Sequence, residues 1–189
     1  VDGHTVGSYG GQDVVLSSFK CDGTYRWSKV FGGYGNDVAN AIKVDTLGHI
    51  YASIALYGPQ TSSNTAIHID VDSTIPVNTA KNMYLVSYDT SGNYRWLRAP
   101  QPDTFTFFST NNYFGVDLDV DNAGNVYWAC QLSPCLLGNG IGQVITSTKV
   151  YVLKYNASGT VSNIIPIDIT GAGFTGKMTR DPNNGRFYF

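Results

Sequence analysis

Asp117, Asp119 and Asp121, followed by Asn122 and Gly124, form the densest run of oxygen ligands in the chain. Closely spaced carboxylates running into a turn are the raw material of a calcium loop. A loop of the EF-hand type needs glycine after its third acidic position, and Asn122 stands there instead. Leu118 and Val120 alternate with the aspartates, and such alternation marks a half-buried strand. The carboxylates are therefore expected on one solvated strand face rather than around an ion. His68, Asp70 and Asp72 alternate in the same way and read the same way. The other histidines are His4 and His49, and none of the three sits in a metal or nucleophile motif. The three cysteines, Cys21, Cys130 and Cys135, are too few and too odd in number for a disulfide framework. Cys130 and Cys135 flank Gln131-Leu132-Ser133-Pro134, a spacing that permits a local disulfide; ordinary small residues are the plainer reading. Zinc would need about four ligands, and no histidine or second cysteine pair lies nearby. No G-x-S-x-G nucleophile element is present, and no pair of carboxylates stands out as an acid and base for glycoside chemistry. The residues thus predict no enzyme, no cofactor and no metal.

Aromatic residues are the remaining candidates for binding. Phe105, Phe107 and Phe108 stand in the polar segment 101–112, where the second of the internal repeats described below is longest. Loop insertions often carry binding, and three phenylalanines in water are costly. They either fold back onto their own sheet or meet a partner, and they are the candidate ligand- or partner-binding residues. Trp27 and Trp96 occupy equivalent repeat positions. Such a fixed large aromatic usually fills space between sheets, and carbohydrate platforms are the alternative. Asn156-Ala157-Ser158 fits the N-glycosylation pattern, which is short and arises often by chance.

The 189 residues are enough for one domain with a real core, and the chain is 42% hydrophobic. Charged residues make up 14%, below the roughly 25% usual in soluble domains. The 21 glycines and 13 tyrosines point to turns and strands. A net charge of −2 gives no reason to expect nucleic acid as a partner. No apolar run approaches the roughly 20 residues of a membrane-spanning helix.

These residues are carried by an internal repeat. Val14 to Phe19, Met83 to Tyr88 and Val150 to Tyr155 are similar apolar strands, strand A, each followed by a turn with glycine at Gly23, Gly92 or Gly159. Strand B follows as Tyr25-Arg26-Trp27, Tyr94-Arg95-Trp96 and the weaker Val161-Ser162-Asn163. A second glycine turn comes later, at Asp45 to Gly48, Asp121 to Gly124 and Asp181 to Gly185, between strands C and D. Aspartate accepts main-chain N–H bonds within its own turn. His49, Asn125 and Arg186 follow the second glycine, so this position reads as a polar turn residue and not a catalytic base. The connectors 59–80 and 131–149 are rich in small polar residues and carry short apolar runs that suit an extra outer strand or crossing loop.

Each unit therefore predicts a four-stranded antiparallel meander. Repeated sheets bury their apolar faces by packing around an axis as a β-propeller; a β-sandwich is the alternative, less favoured because the units are alike. The predicted divisions are residues 1–11 as the tail of a preceding blade, 12–80 and 81–149 as the first two blade repeats, and 150–189 as an incomplete third. Both ends read as cut, so a piece of a longer protein, or one subunit of an assembled ring, is expected.

The stretch from Asp13 to Trp27, then Gly32-Gly33-Tyr34-Gly35-Asn36-Asp37, then Val44-Asp45 to Ile50-Tyr51, resembles the bacterial SBBP-type β-propeller repeat. The second unit keeps Tyr88 to Trp96 and Val120 to Tyr127, whereas the third has Asn163 in place of the tryptophan and Arg180-Asp181 in place of Val-Asp. The resemblance spans nearly the whole chain and implies an all-β, partial propeller with about three blades. Repeats of this kind occur in large surface and secreted proteins of varied role; the repeat itself, the missing catalytic constellation and the low charge favour a non-enzymatic scaffold, part of a larger secreted or surface-exposed structural or adhesion protein. Its partners would be other proteins or further blades of the same polypeptide. A glycan-binding module is one alternative, and an enzyme with its active site in other blades is another.

Overall fold

A computed structural model describes residues 7–57, 66–70, 73–76, 82–102, 114–169 and 176–189. These residues form antiparallel β-structure with no helix among them. Strands β1 (Val14–Phe19) and β2 (Tyr25–Phe31) make a two-stranded sheet. Strands β3 (Val38–Val44), β4 (Ile50–Ala55), β7 (Met83–Tyr88) and β8 (Tyr94–Arg98) make the first four-stranded sheet, in that spatial order. Strands β9 (Phe114–Val120), β10 (Val126–Leu132), β13 (Lys149–Tyr155) and β14 (Val161–Ile167) make the second, and β15 (Thr179–Arg180) pairs with β16 (Phe187–Tyr188). The connectors add two small hairpins, β5 (Ala66–Asp70) with β6 (Ser73–Pro76), and β11 (Cys135–Leu136) with β12 (Val144–Ile145).

The sheets are out of phase with the sequence units. The sequence predicts A, B, C and D of one unit side by side; instead each four-stranded sheet takes C and D from one unit and A and B from the next. The connectors explain this. In the first unit the B-to-C link, Gly32 to Asp37, is short and pinned by its own aspartate, whose carboxylate accepts the Gly33 and Tyr57 amides. It steps from one sheet to the next. The longer D-to-A link folds into its own hairpin, so D and A are free to pair along their whole length. Ile50 faces Tyr88 and Ala55 faces Met83 in one sheet, while Val126 faces Tyr155 and Leu132 faces Lys149 in the other.

Strands that lie inside a four-stranded sheet are apolar on both faces because both faces are covered. Every residue of β7 and of β10 is buried. Three apolar layers result. One joins Val14, Leu16 and Phe31 to Ile54, Tyr84 and Val86. The second joins Met83, Leu85 and Trp96 to Leu118, Trp128 and Leu153. The third joins Val116, Ala129 and Val152 to Met178. Within the second layer the indole N–H of Trp128 donates to Ser53 Oγ across the sheets at 2.9 Å, and both groups are buried. Gly115 makes room for this bond: a Cβ there would lie 2.4 Å from Ser53 Oγ and 2.9 Å from Trp128 Nε1. Gly115→Ala is expected to displace the indole and lower stability by about 1–3 kcal/mol, the usual cost of overpacking. Urea unfolding followed by tryptophan fluorescence checks this.

Candidate functional site

The groups most often repeated between sheets belong to strand B. In a regular strand, adjacent side chains point to opposite faces. Arg26 and Trp27 nevertheless both donate to the Thr90 carbonyl, at 2.8 and 3.1 Å. Arg95 and Trp96 both donate to the Ala157 carbonyl, each at 3.1 Å. A β-bulge makes this possible. Trp27 pairs with Ser18 and Tyr25 with Phe19, which leaves Arg26 as the extra residue; Arg95 is extra in the same way between Tyr94 and Trp96. The bulge re-aims the arginine, so cation and indole converge on one oxygen in the A–B turn of the following sheet.

The turn is shaped to receive them. Gly92 and Gly159 have φ of +81° and +78°, and a Cβ at either would come within 2.8 or 2.7 Å of the Trp27 or Trp96 ring. These glycines therefore meet two demands at once, a left-handed turn and a flat floor for an indole. The latch also reaches back into its own sheet. Arg95 donates to Ser87 Oγ and to the Tyr51 hydroxyl, and Tyr51 donates to Asp45. Asp45 further accepts the Leu47 and His49 amides and contacts His49 Nδ1 at 2.8 Å. Burial alone would raise the Asp45 pKa, but the hydrogen bonds from His49 and Tyr51 outweigh it and hold the carboxyl below its usual range. Asp121 repeats this arrangement with Ala123, Asn125 and Tyr127, and its pKa is lowered with the same balance of causes.

The candidate residues fall as follows. Phe105, Phe107 and Phe108 lie outside the described residues, as do His4 and Asp72. Trp96 is buried between sheets, whereas Trp27 is half-buried. Asp117 and Asp119 do not form a solvated face. Asp117 accepts the Met178 amide and Asp119 the Arg180 amide, both at 2.8 Å, while Lys177 and Lys43 approach their other oxygens. They fasten β9 to the chain segment leading into β15, and Asp121 serves its own turn. Asn156 likewise turns its amide oxygen inward, to the Ser158 and Thr160 amides. None of the three cysteines is in a disulfide; Cys130 is buried, and burial pushes its thiol pKa up.

One cluster was not singled out from the sequence, although its residues stand in the repeat pattern. Asp13, ahead of strand A, contacts Asp37 of the Gly32 to Asp37 link, carboxyl to carboxyl. Asp37 is 5% exposed. Burial, and then the Asp13 charge, raise its pKa against the pull of the Tyr57 and Gly33 amides. Asp13 Oδ2 accepts the Tyr9 amide, while its buried Oδ1 has no hydrogen-bond partner among the described residues. The His68 ring stacks on Tyr9 at 3.7 Å and 2°, and the His68 main chain pairs with Gly32. Both oxygens of Asp37 already accept main-chain amides, and these bonds lock the inter-sheet link.

No protein-family model matches the chain, and no curated protein shows significant similarity to it.

Two outcomes follow from this geometry. Trp96→Ala should cost about 3–5 kcal/mol, the range for a core aromatic, and the half-exposed Trp27→Ala distinctly less; chemical denaturation separates them. Asp13→Asn supplies an amide donor to Asp37 and removes one charge of the pair. A raised carboxyl stabilises the fold while protonated and loses that contribution as pH rises through its folded pKa. The variant should therefore raise the melting temperature at neutral pH, by the equivalent of about 1 kcal/mol, and flatten the decline above the ordinary carboxylate range. Asp45 and Asp121 act oppositely, since their depressed pKa values contribute stability that is lost as pH falls through them. Thermal melts from pH 3 to pH 8 test both signs.

Proposed function

We propose that the chain is a run of β-propeller blades serving as a non-enzymatic scaffold, within a larger secreted or surface-exposed structural or adhesion protein that makes protein–protein contacts. The observation that carries this reading is the latch, Arg26–Trp27 on Thr90 and Arg95–Trp96 on Ala157, which recurs at successive sheets. A joint repeated with the same atoms gives each sheet the same relation to the next. That regularity suits an array whose task is to hold surfaces in place. The chemistry-bearing residues support the same reading. Asp45, Asp117, Asp119 and Asp121 spend their carboxylates on main-chain amides within turns or between sheets. The resemblance to SBBP-type repeats points to the same class of protein.

The test uses antibodies to the chain on intact cells of its source. Protease treatment of the intact cells should abolish antibody binding, and surface cross-linking should join the protein to others. Binding that appears only after lysis would overturn the surface assignment. Turnover of a panel of ester, glycoside and phosphate substrates by the purified chain would overturn the non-enzymatic one.

A further inference from the structure

The sheet of β1 and β2 is half of the sheet that the repeat builds elsewhere. β7 lies between β4 and β8, and β13 between β10 and β14, so each of these A strands pairs with a D strand on one side and a B strand on the other. Among the described residues β1 pairs only with β2, and β16, the D strand of the third unit, pairs only with β15. One sheet has A and B without C and D; the other has C and D without A and B. A strand edge of this kind is a template for pairing with another chain.

The side chains around β1 show the shape of the element that would cover it. Arg95 donates to Ser87 Oγ at 3.0 Å, to the Ala157 carbonyl at 3.1 Å and to the hydroxyl of Tyr51, on the D strand of its sheet, at 3.3 Å. Arg26 makes the first two of these bonds, to Ser18 Oγ at 3.2 Å and to the Thr90 carbonyl at 2.8 Å, and no D-strand tyrosine stands beside it among the described residues. Trp96 has Tyr51 and Tyr155 as ring neighbours, whereas Trp27 has Tyr88, the counterpart of Tyr155, and no counterpart of Tyr51. Beside the β1 edge runs an apolar groove of about 250 Å³, lined by Val14, Leu16, Ala39, Ile42, Ala52 and Ile54. Ile42 is 54% exposed, whereas its equivalent in the next sheet, Leu118, is fully buried.

Strand β16 carries what this surface lacks. By the strand registers, Phe187 and Tyr188 stand where β4 has Ile50 and Tyr51 and β10 has Val126 and Tyr127. Tyr188 is 52% exposed, although Tyr51 is fully buried.

We propose that β16 of one copy of this chain adds to the β1 edge of a second copy, completing a sheet in the order β15-β16-β1-β2. The internal sheets fix the register: Phe187 pairs with Phe19 and Tyr188 with Ser18, as Ile50 pairs with Tyr88 and Tyr51 with Ser87. The Tyr188 hydroxyl accepts from Arg26, its ring covers Trp27, and the β15–β16 hairpin seals the groove over Ile42. The junction is head to tail, so copies join in series or close into a ring. It is weaker than the internal joints, because β14 has Ser162 and Asn163 where the latch has arginine and tryptophan. The turn at Cys21 and Gly23, counterpart of the turns at Thr90 and Ala157, therefore receives no Arg–Trp pair, and a Cβ at Gly23 would meet nothing within 4 Å. The proposal rests on the array part of the function proposed above and names one of its protein partners.

Sedimentation of the whole chain from micromolar to millimolar concentration, with a reductant because Cys21 is exposed, tests this. The wild-type mass should rise with concentration in whole-chain steps. Ile42→Asp blocks the β1 side and Tyr188→Ala the β16 side. Both positions are exposed in the single chain, so the variants should melt like the wild type while associating about tenfold or more weakly, the equivalent of a lost hydrogen bond to a charged group. Mixed together, the two variants should form a pair and stop at two chains, since each keeps the end that the other has lost. Ser162→Arg combined with Asn163→Trp supplies the latch and should tighten association about tenfold. If either single variant melts below the wild type, the latch variant decides alone. A wild-type chain that is monomeric throughout would overturn the proposal. So would association that neither single variant weakens, a mixture that forms no pair, or a latch variant that associates no more tightly. These results would leave the scaffold reading standing, because that reading is tested on cells and with substrates.

Discussion

A single main-chain oxygen in the second and in the third A–B turn receives both an arginine and an indole from the preceding sheet, and much of the arrangement follows from that convergence. Two side chains adjacent in sequence reach the same acceptor only if the strand carries a bulge between them, and the strand does so at Arg26 and again at Arg95. The acceptor turn must be left-handed and must lack a Cβ where the ring lies, hence Gly92 and Gly159. The indole must be deep enough to join an apolar layer, and Trp96 accordingly stands beside Tyr51 and Tyr155. Bulge, glycine and aromatic layer thus form one device, and loss of any part would disturb the other two. The third unit keeps the bulge, at Ser162, but has Asn163 where the indole would stand.

The acidic residues follow a second constraint. All 14 are aspartates. The shorter side chain folds back onto the main chain two to four residues ahead, as Asp22, Asp45, Asp89, Asp121 and Asp181 each do. Glutamate, one methylene longer, fits such a turn poorly. The carboxylates thus replace missing main-chain acceptors in turns and between sheets.

How far this was legible from the sequence depends on distance along the chain. Strand A, strand B and both glycine turns could be read because their signals are local, namely an apolar run, an aromatic pair and a turn aspartate with glycine. The positions of Trp27 and Trp96 between sheets followed from their fixed place in the repeat. The phase of the sheets was not legible, because periodicity shows which strands exist and is silent about whether D pairs with C alone or with the next A as well. The DxDxD segment misled for a related reason. Alternation with Leu118 and Val120 puts carboxylates on one strand face, but only the neighbouring segment at Met178 to Arg180 turns that face into an interface. The Asp13–Asp37 contact depends on residues from separate elements.

The offset between sequence unit and sheet has an evolutionary corollary. Because every four-stranded sheet is completed by the unit that follows, a tandem duplication of one whole period, wherever its breakpoints fall, lengthens the array by one intact sheet and leaves no half-sheet stranded inside it. The latch of the first two units travels with the period as well: its donors in one copy find a turn in the next. Unequal recombination between repeats can therefore change the number of sheets without first requiring a compensating mutation at a junction.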